Sequence, residues 1–258
     1  MTLTNSLRER LRSRQLLFGG WVSFGHPSIA EIFAAQGFDF LAIDMEHSTI
    51  SLAEAQRIIA ASQSFNVPCL PRPVSHSNDW IKPLLDSGAD GLIAPMTNSH
   101  LDAEQLGNLL KFPPVGNRSF GVNRAQGYGL NFSSYVSNWN KRSVFIPQVE
   151  SVEAVSKIDD ILKVDAVDGV MIGPYDLSGS LGVPGNLHHE KVVGAEAEVI
   201  SACRSAGKSC GTQIAEFTSQ AVDSALEKGY TFIIASSDLF VLNAWSIQAR
   251  SIIDSVQK

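Results

Sequence analysis

Glu150 and Asp176 close two segments built alike. Phe145-Ile-Pro-Gln-Val-Glu150 and Ile172-Gly-Pro-Tyr-Asp-Leu177 each carry a β-branched or aromatic run that ends on an acid, where a strand should give way to a loop. The acids lie 26 residues apart, the length of one strand–helix unit, which places them on neighbouring parallel strands with their carboxylates side by side. Adjacent carboxylates at strand tips make a poor core and a good open site for a hard divalent cation, which takes oxygen ligands and leaves positions for water or substrate. Either acid alone reads equally well as a first-turn helix residue stabilised by the dipole. The matched pair favours metal.

Other residues with usable chemistry fall at the ends of predicted strands. His47, in Ile43-Asp44-Met45-Glu46-His47, is the only histidine that directly follows such a strand flanked by acids. That suits proton transfer; the plainer reading is a helix-entry histidine with a structural bond. Arg72, between Pro71 and Pro73 on a stiff segment, suits fixing a carboxylate or stabilising an oxyanion, or else a rim salt bridge. His26, His76 and His100 stand in comparable loops as secondary candidates, and His188-His189 at a helix start suits capping or exposure to solvent. No predicted strand contains a lysine, and Lys141, Lys163 and Lys208 precede strands. Polarisation of a carbonyl by a metal is therefore favoured over an imine. Neither a G-x-S-x-G elbow nor a P-loop is present.

The elements that must hold these residues alternate from end to end. Apolar runs predict strands over 18–24, 38–45, 68–73, 91–96, 144–149, 169–172, 209–214 and 231–235. Amphipathic segments predict helices over 27–36, 52–64, 78–86, 102–111, 152–162, 189–206, 219–227 and 240–256. Several helices end on a glycine that leads into a strand, as at Gly37, Gly88, Gly207 and Gly229. Eight such units imply an α/β protein with a closed (β/α)₈ TIM barrel spanning 1–258 as a single domain. A doubly wound sheet would show a glycine-rich fingerprint after its first strand, and Ser23-Phe-Gly-His-Pro is not one. Residues 113–140 break the rhythm, rich in Gly, Asn, Arg and aromatics without clear helical periodicity, and read as a long functional loop around the outside or the rim.

Composition narrows the class. The chain has 258 residues, 44% of them hydrophobic, with 26 acidic against 20 basic side chains. The lysines and arginines are scattered, so neither nucleic acid nor an anionic membrane is expected as a partner, and no stretch approaches a membrane span. The opening ten residues carry charges where a signal peptide needs an apolar region, and read as a helix capped at Asn5 or Ser6. Cys69, Cys203 and Cys210 form no CxxC pair and no even set, so they are expected as reduced thiols in a cytoplasmic enzyme.

Taken together, Gly37-Phe-Asp-Phe-Leu-Ala-Ile-Asp-Met-Glu-His47, Arg72-Pro73, Ile81-Lys-Pro-Leu-Leu-Asp-Ser-Gly88, Ala94-Pro-Met96, Gln148-Val-Glu150, Gly173-Pro-Tyr-Asp-Leu-Ser178 and Leu181-Gly-Val-Pro-Gly-Asn186 resemble the HpcH/HpaI family of metal-dependent (class II) pyruvate aldolases. Nearly the whole chain is covered, with order and spacing kept, and the chain is similar to 2-keto-3-deoxy sugar acid and 4-hydroxy-2-oxo-heptanedioate aldolases. The resemblance implies that Glu150 and Asp176 bind Mg²⁺, Mn²⁺ or Co²⁺ and that His47 acts with a metal-bound water as the base. It implies that Arg72 stabilises the developing enolate, and that Gln148 with the backbone amides of Tyr175 and Asp176 holds the pyruvyl group. Asp86 matches an acid that raises the basicity of the histidine, although its predicted place late in a helix is away from the top face. Asp44 is suited to orient metal-bound waters. The chain departs from the usual pattern at Arg118-Ser-Phe-Gly121, where Arg-Gly-x-Gly is common, and at Tyr175, where a small residue is usual. Both changes would reshape the pocket for the aldehyde.

The implied reaction is cleavage of a 4-hydroxy-2-oxo-acid into pyruvate and an aldehyde through a pyruvate enolate, or the reverse condensation. A CoA-ester lyase, an oxaloacetate decarboxylase and a non-catalytic paralogue are the alternatives. The absence of a concentrated basic patch disfavours CoA, and the complete set of candidate residues disfavours the paralogue. The last predicted helix carries Phe240, Leu242, Trp245, Ile252 and Ile253, more apolar surface than a barrel wall needs at a chain end. The resemblance implies that this helix is exchanged between subunits of a homohexamer, a trimer of dimers; the alternative is an ordinary eighth helix closing its own barrel.

Overall fold

In the computed structural model, which describes residues 6–257, a short helix α1 (Leu7–Arg12) opens the chain. Ser6 caps it and exchanges hydrogen bonds with Glu9; Asn5 lies outside the described residues. Eight parallel strands follow: β1 (Leu17–Val22), β2 (Phe40–Asp44), β3 (Cys69–Arg72), β4 (Gly91–Ala94), β5 (Val144–Val149), β6 (Gly169–Ile172), β7 (Ser209–Ile214) and β8 (Phe232–Ala235). Sequence neighbours pair from β1 to β3 and from β4 to β8, and β8 returns to β1. Between β3 and β4 the ring closes through the Asp90 N–H donating to the Cys69 carbonyl at 2.9 Å. The fold is a (β/α)₈ barrel.

Helices α2 (Pro27–Ala35), α3 (Leu52–Ser64), α4 (Asn78–Asp86), α5 (His100–Leu110), α6 (Phe132–Arg142), α7 (Val152–Ser156), α8 (Ile158–Leu162), α9 (Pro174–Ser180), α10 (Glu190–Ser205), α11 (Ser219–Lys228) and α12 (Asp238–Val256) fill the connections. The expected turn glycines serve as stops: Gly37 and Gly229 have φ of +80° and +103°, a left-handed conformation that L residues rarely adopt.

Alternation along the strands divides the core in two. Leu17 and Trp21, Phe40 and Ala42, Leu70, Ile93, Val144 and Ile146, Met171, Phe232 and Ile234 point into the barrel and meet Leu7 and Leu11 of α1. The other face of the strands packs on the helices. Inside, Gly19 and Gly211 have no side chain because the rings of Phe40 and Phe232 lie where a Cβ would stand, and those two rings meet edge to face at 6.2 Å. Helix α1 seals this end, with Arg8 and Arg12 donating to the buried Asp168 Oδ1 at 2.9 and 2.6 Å.

Two expectations are corrected here. The irregular stretch expected over 113–140 contains a 3₁₀ segment, Arg124–Gly129, and the full helix α6. Phe132, Tyr135, Val136 and Trp139 line one face of that helix, and the Trp139 indole donates to the Leu110 carbonyl at 2.6 Å. The helix expected over 152–162 is two short ones broken at Lys157. A further finding concerns α12: Asp238 is its one buried residue. Leu239, Val241, Leu242, Trp245, Ile247 and Ile253 are all exposed, so α12 does not close its own barrel.

Candidate active site

The alternation that fills the barrel also builds its mouth. On β2 the inward series Phe40, Ala42 continues to Asp44; on β3 Leu70 is followed by Arg72; on β5 Val144 and Ile146 lead to Gln148 and then Glu150. Apolar layers below thus turn into ionisable groups at the carboxyl ends of the strands, where barrel sites lie.

Asp44 and Arg72 are register partners, 6% and 7% exposed. Arg72 Nη2 and Nε donate to Asp44 Oδ1 at 2.8 and 3.2 Å. Its Nη1 donates to Gln148 Oε1 at 3.3 Å and lies 3.2 Å from Glu46 Oε2, while the guanidinium sits 4.8 Å above the Trp21 ring. Asp44 Oδ1 also accepts the backbone N–H groups of Glu46 and His47, each at 3.1 Å. That anchors the loop presenting His47, whose side chain is 63% exposed with Nε2 3.7 Å from Glu46 Oε2.

Glu150 is buried directly after the end of β5. Its Oε1 accepts the Met96 N–H at 2.5 Å and its Oε2 accepts Gln148 Nε2 at 2.6 Å, so Gln148 bridges Arg72 and Glu150. Gly173 leaves room for this pair, since a Cβ there would stand 2.7 Å from Glu150 Oε2 and 2.8 Å from Gln148 Nε2. Asp176 lies in the first turn of α9 rather than at the tip of β6, exposed at the rim beside the exposed Tyr175.

Negative charge exceeds positive here. Burial above all pushes the Glu150 carboxyl up to about 7 against the Met96 amide, with Glu46 and Asp176 pushing the same way. Burial likewise raises Glu46, against the pull of Arg72, and Glu46 Oε2 is buried without a hydrogen-bond partner. An excess of carboxylate oxygens facing a wet mouth suits a hard divalent cation. Among the described residues no three acidic, histidine or cysteine side chains come together as a ready-made metal site.

The remaining candidates sit elsewhere. Asp86 is the last residue of α4, which runs antiparallel to the strands and so carries it to the opposite end of the barrel. There it accepts Arg118 Nη2 at 2.9 Å, and Arg118 lies over Phe112, Tyr135 and Trp139. Asp86 therefore does not meet His47 within one chain. Asp238 accepts the N–H groups of Ser23 and Phe24, each at 2.9 Å, and ties β8 to the loop after β1. His26 and His189 cap α2 and α10, and His100 Nδ1 lies 2.9 Å from the Asp160 carbonyl. Among the described residues no strand holds a lysine. Lys111 is buried, but at the closed end against Ser143. Glu46, Trp21 and Met96 belong to the site and were not singled out by sequence, although Glu46 stands in the Asp44–His47 run.

Residues 17–244 match the HpcH/HpaI aldolase/citrate lyase family. The chain is 37% identical to a 2-keto-3-deoxy-L-rhamnonate aldolase of Shigella boydii serotype 4 (strain Sb227), over 81% of this chain and 79% of that one. Among solved structures it is similar to an HpcH/HpaI aldolase/citrate lyase family protein from Burkholderia cenocepacia J2315, at TM-score 0.90 and 32% identity over 97% of this chain and 100% of that one. It is also similar to an HpcH/HpaI aldolase from Desulfitobacterium hafniense DCB-2, at TM-score 0.88 and 27% identity over 96% of each chain.

Proposed function

The chain belongs to the HpcH/HpaI aldolase/citrate lyase family, and from that premise we propose a metal-dependent class II aldolase that cleaves or forms 4-hydroxy-2-oxo-acids, with pyruvate and an aldehyde as the partners. The observation that carries this reading is the convergence of Arg72, Gln148 and the over-acidic group Glu46, Glu150 and Asp176 at one barrel mouth.

Glu150 and Asp176 are the residues to hold Mg²⁺, Mn²⁺ or Co²⁺, and when bound such an ion would polarise the 2-oxo group of the substrate as a Lewis acid. His47, exposed at the mouth, takes the proton of the C4 hydroxyl. The C3–C4 bond then breaks, the aldehyde leaves, and its electron pair remains on the pyruvate enolate. Arg72 faces that charge from a fixed position, where a preorganised guanidinium acts most strongly. Gln148 holds Arg72 and Glu150 in register and has a second amide hydrogen for the pyruvyl group. The free backbone N–H groups of Tyr175 and Asp176 at the start of α9 supply further donors. Asp44 sets the orientation of Arg72 and His47.

The name of the Shigella relative supports a 2-keto-3-deoxy sugar acid as the substrate class, with Tyr175 on the rim beside the aldehyde half. The exposed apolar face of α12 supports a homo-oligomer, a hexamer built as a trimer of dimers, in which α12 packs on a neighbour. Three buried free thiols suit a reducing, cytoplasmic setting.

Pyruvate release should be measured across a panel of 4-hydroxy-2-oxo-acids, with a chelator and with Mg²⁺, Mn²⁺ or Co²⁺ added back. The chelator should abolish activity and the metal restore it. Full activity in metal-free protein, or inactivation by borohydride in the presence of pyruvate, would show an imine mechanism instead.

A further inference from the structure

The turn after β4 holds one peptide group in an unfavourable orientation. Met96 has φ of +47°, the left-handed region that a residue with a Cβ avoids. Rotating the Pro95–Met96 peptide would relieve this, and would swing its N–H away from the site. Two contacts prevent it. The Met96 N–H donates to Glu150 Oε1 at 2.5 Å, and the Pro95 carbonyl oxygen lies 2.6 Å from His76 Nε2. A carbonyl oxygen only accepts, so His76 Nε2 carries the hydrogen and donates.

These two contacts grip the same chemical unit. The Pro95 oxygen and the Met96 N–H are opposite ends of one planar trans peptide. Fixing the oxygen therefore aims the N–H, and hydrogen bonds at both ends polarise the group so that each strengthens the other.

We infer that His76 is a positioning residue for Glu150, acting through the Pro95–Met96 peptide to hold Oε1 in its metal-binding orientation. This rests on the proposed role of Glu150. If the peptide turned over, the Pro95 carbonyl would face the carboxylate, acceptor against acceptor, and Glu150 would move. The rest of the turn is fastened independently, by Thr97 N–H donating to the Gln148 carbonyl at 3.3 Å and Thr97 Oγ1 to the Ala94 carbonyl at 3.1 Å. Loss of His76 should thus leave the fold in place.

The test is Mn²⁺ binding to the full chain, followed by the electron paramagnetic resonance signal of the free ion, for wild type, His76→Ala and His76→Gln. The Gln amide nitrogen reaches the position of Nε2 and can donate. His76→Ala should bind Mn²⁺ about 10–100-fold more weakly, as expected for loss of a partner that orients a ligand, and His76→Gln should recover most of that. Turnover of the Ala variant should return at saturating Mn²⁺, which a general packing defect would not allow. An Ala variant that binds like wild type overturns the inference alone, as does a Gln variant as weak as Ala. A wild type that binds no Mn²⁺ overturns the metal reading and this inference with it.

Discussion

Arg72 and Asp44 form a buried pair across adjacent strands, Nη2 to Oδ1 at 2.8 Å, and that same carboxylate oxygen accepts the N–H groups of Glu46 and His47. One oxygen atom therefore sets both the guanidinium and the loop that presents the imidazole. Breaking such a pair from one side strands a charge in a poorly solvated place, and is more damaging than never having built it.

Arg72→Ala should accordingly lower both stability, by about 3–5 kcal/mol, and pyruvate release, by roughly 10²-fold or more. Arg72→Lys should recover stability better than rate, since the fork that reaches Asp44, Gln148 and the enolate together is lost. His47→Ala is the contrasting case: with an exposed ring it should melt near wild type while kcat falls about 10²–10⁴-fold. Steady-state kinetics and thermal melts on the same preparations check all three. Near-normal pyruvate release by both alanine variants would refute the assignment.

Lys111 gives a pH signature remote from the mouth. Burial first, with Arg8 adding, lowers its pKa from 10.5 to about 8, while its Nζ donates to the Ser143 carbonyl and Oγ at 2.9 and 2.7 Å. Below pH 8 the amine is protonated in both folded and unfolded chains, and its burial opposes folding by an amount on the order of 3 kcal/mol. Between about 8 and 10.5 the unfolded chain holds a proton that the folded one has released, so this opposition fades as pH rises. Urea midpoints of wild type relative to Lys111→Met should therefore increase from pH 8 to pH 10. Parallel curves for the two proteins would show that Lys111 titrates normally.

The stand-off of α12 predicts assembly. Trp245 and Ile247 are 65% and 64% exposed, more apolar surface than a lone helix keeps in water. Light scattering at micromolar concentration should report an oligomer, and deleting the residues after Asp238 should give dissociated or insoluble protein. A monomeric intact chain would refute the swapped helix.

The barrel was legible because buried parallel strands are short apolar runs between helix-stop glycines and polar turns. The runs at 144–149, 169–172 and 209–214 match β5, β6 and β7, and α3 and α4 fall at their predicted bounds. Helix α6 was hidden by its serines and asparagines, weak helix formers that mask the stripe from Phe132 to Trp139. Glu150 and Arg72 were readable because each closes a predicted strand, whereas Asp44 and Gln148 came with the family motifs and lie on the inward alternation of β2 and β5. Asp86 was placed with them by motif alone, whereas the direction of α4 carries it to the other end. The contact of His76 with Pro95 joins loops from different strands, and no local pattern announces it.

Gly19 and Gly211 face the rings of Phe40 and Phe232 with no room between them, and this constrains how the chain can evolve. Adding a methyl at either glycine first would force an aromatic ring out of place, and trimming either ring first would leave a void. Each pair must change together, so neither offers a nearly neutral first step. The exposed Tyr175 at the mouth has no such partner and can change singly. Drift in this enzyme should therefore run along the rim, while the floor of the barrel stays fixed.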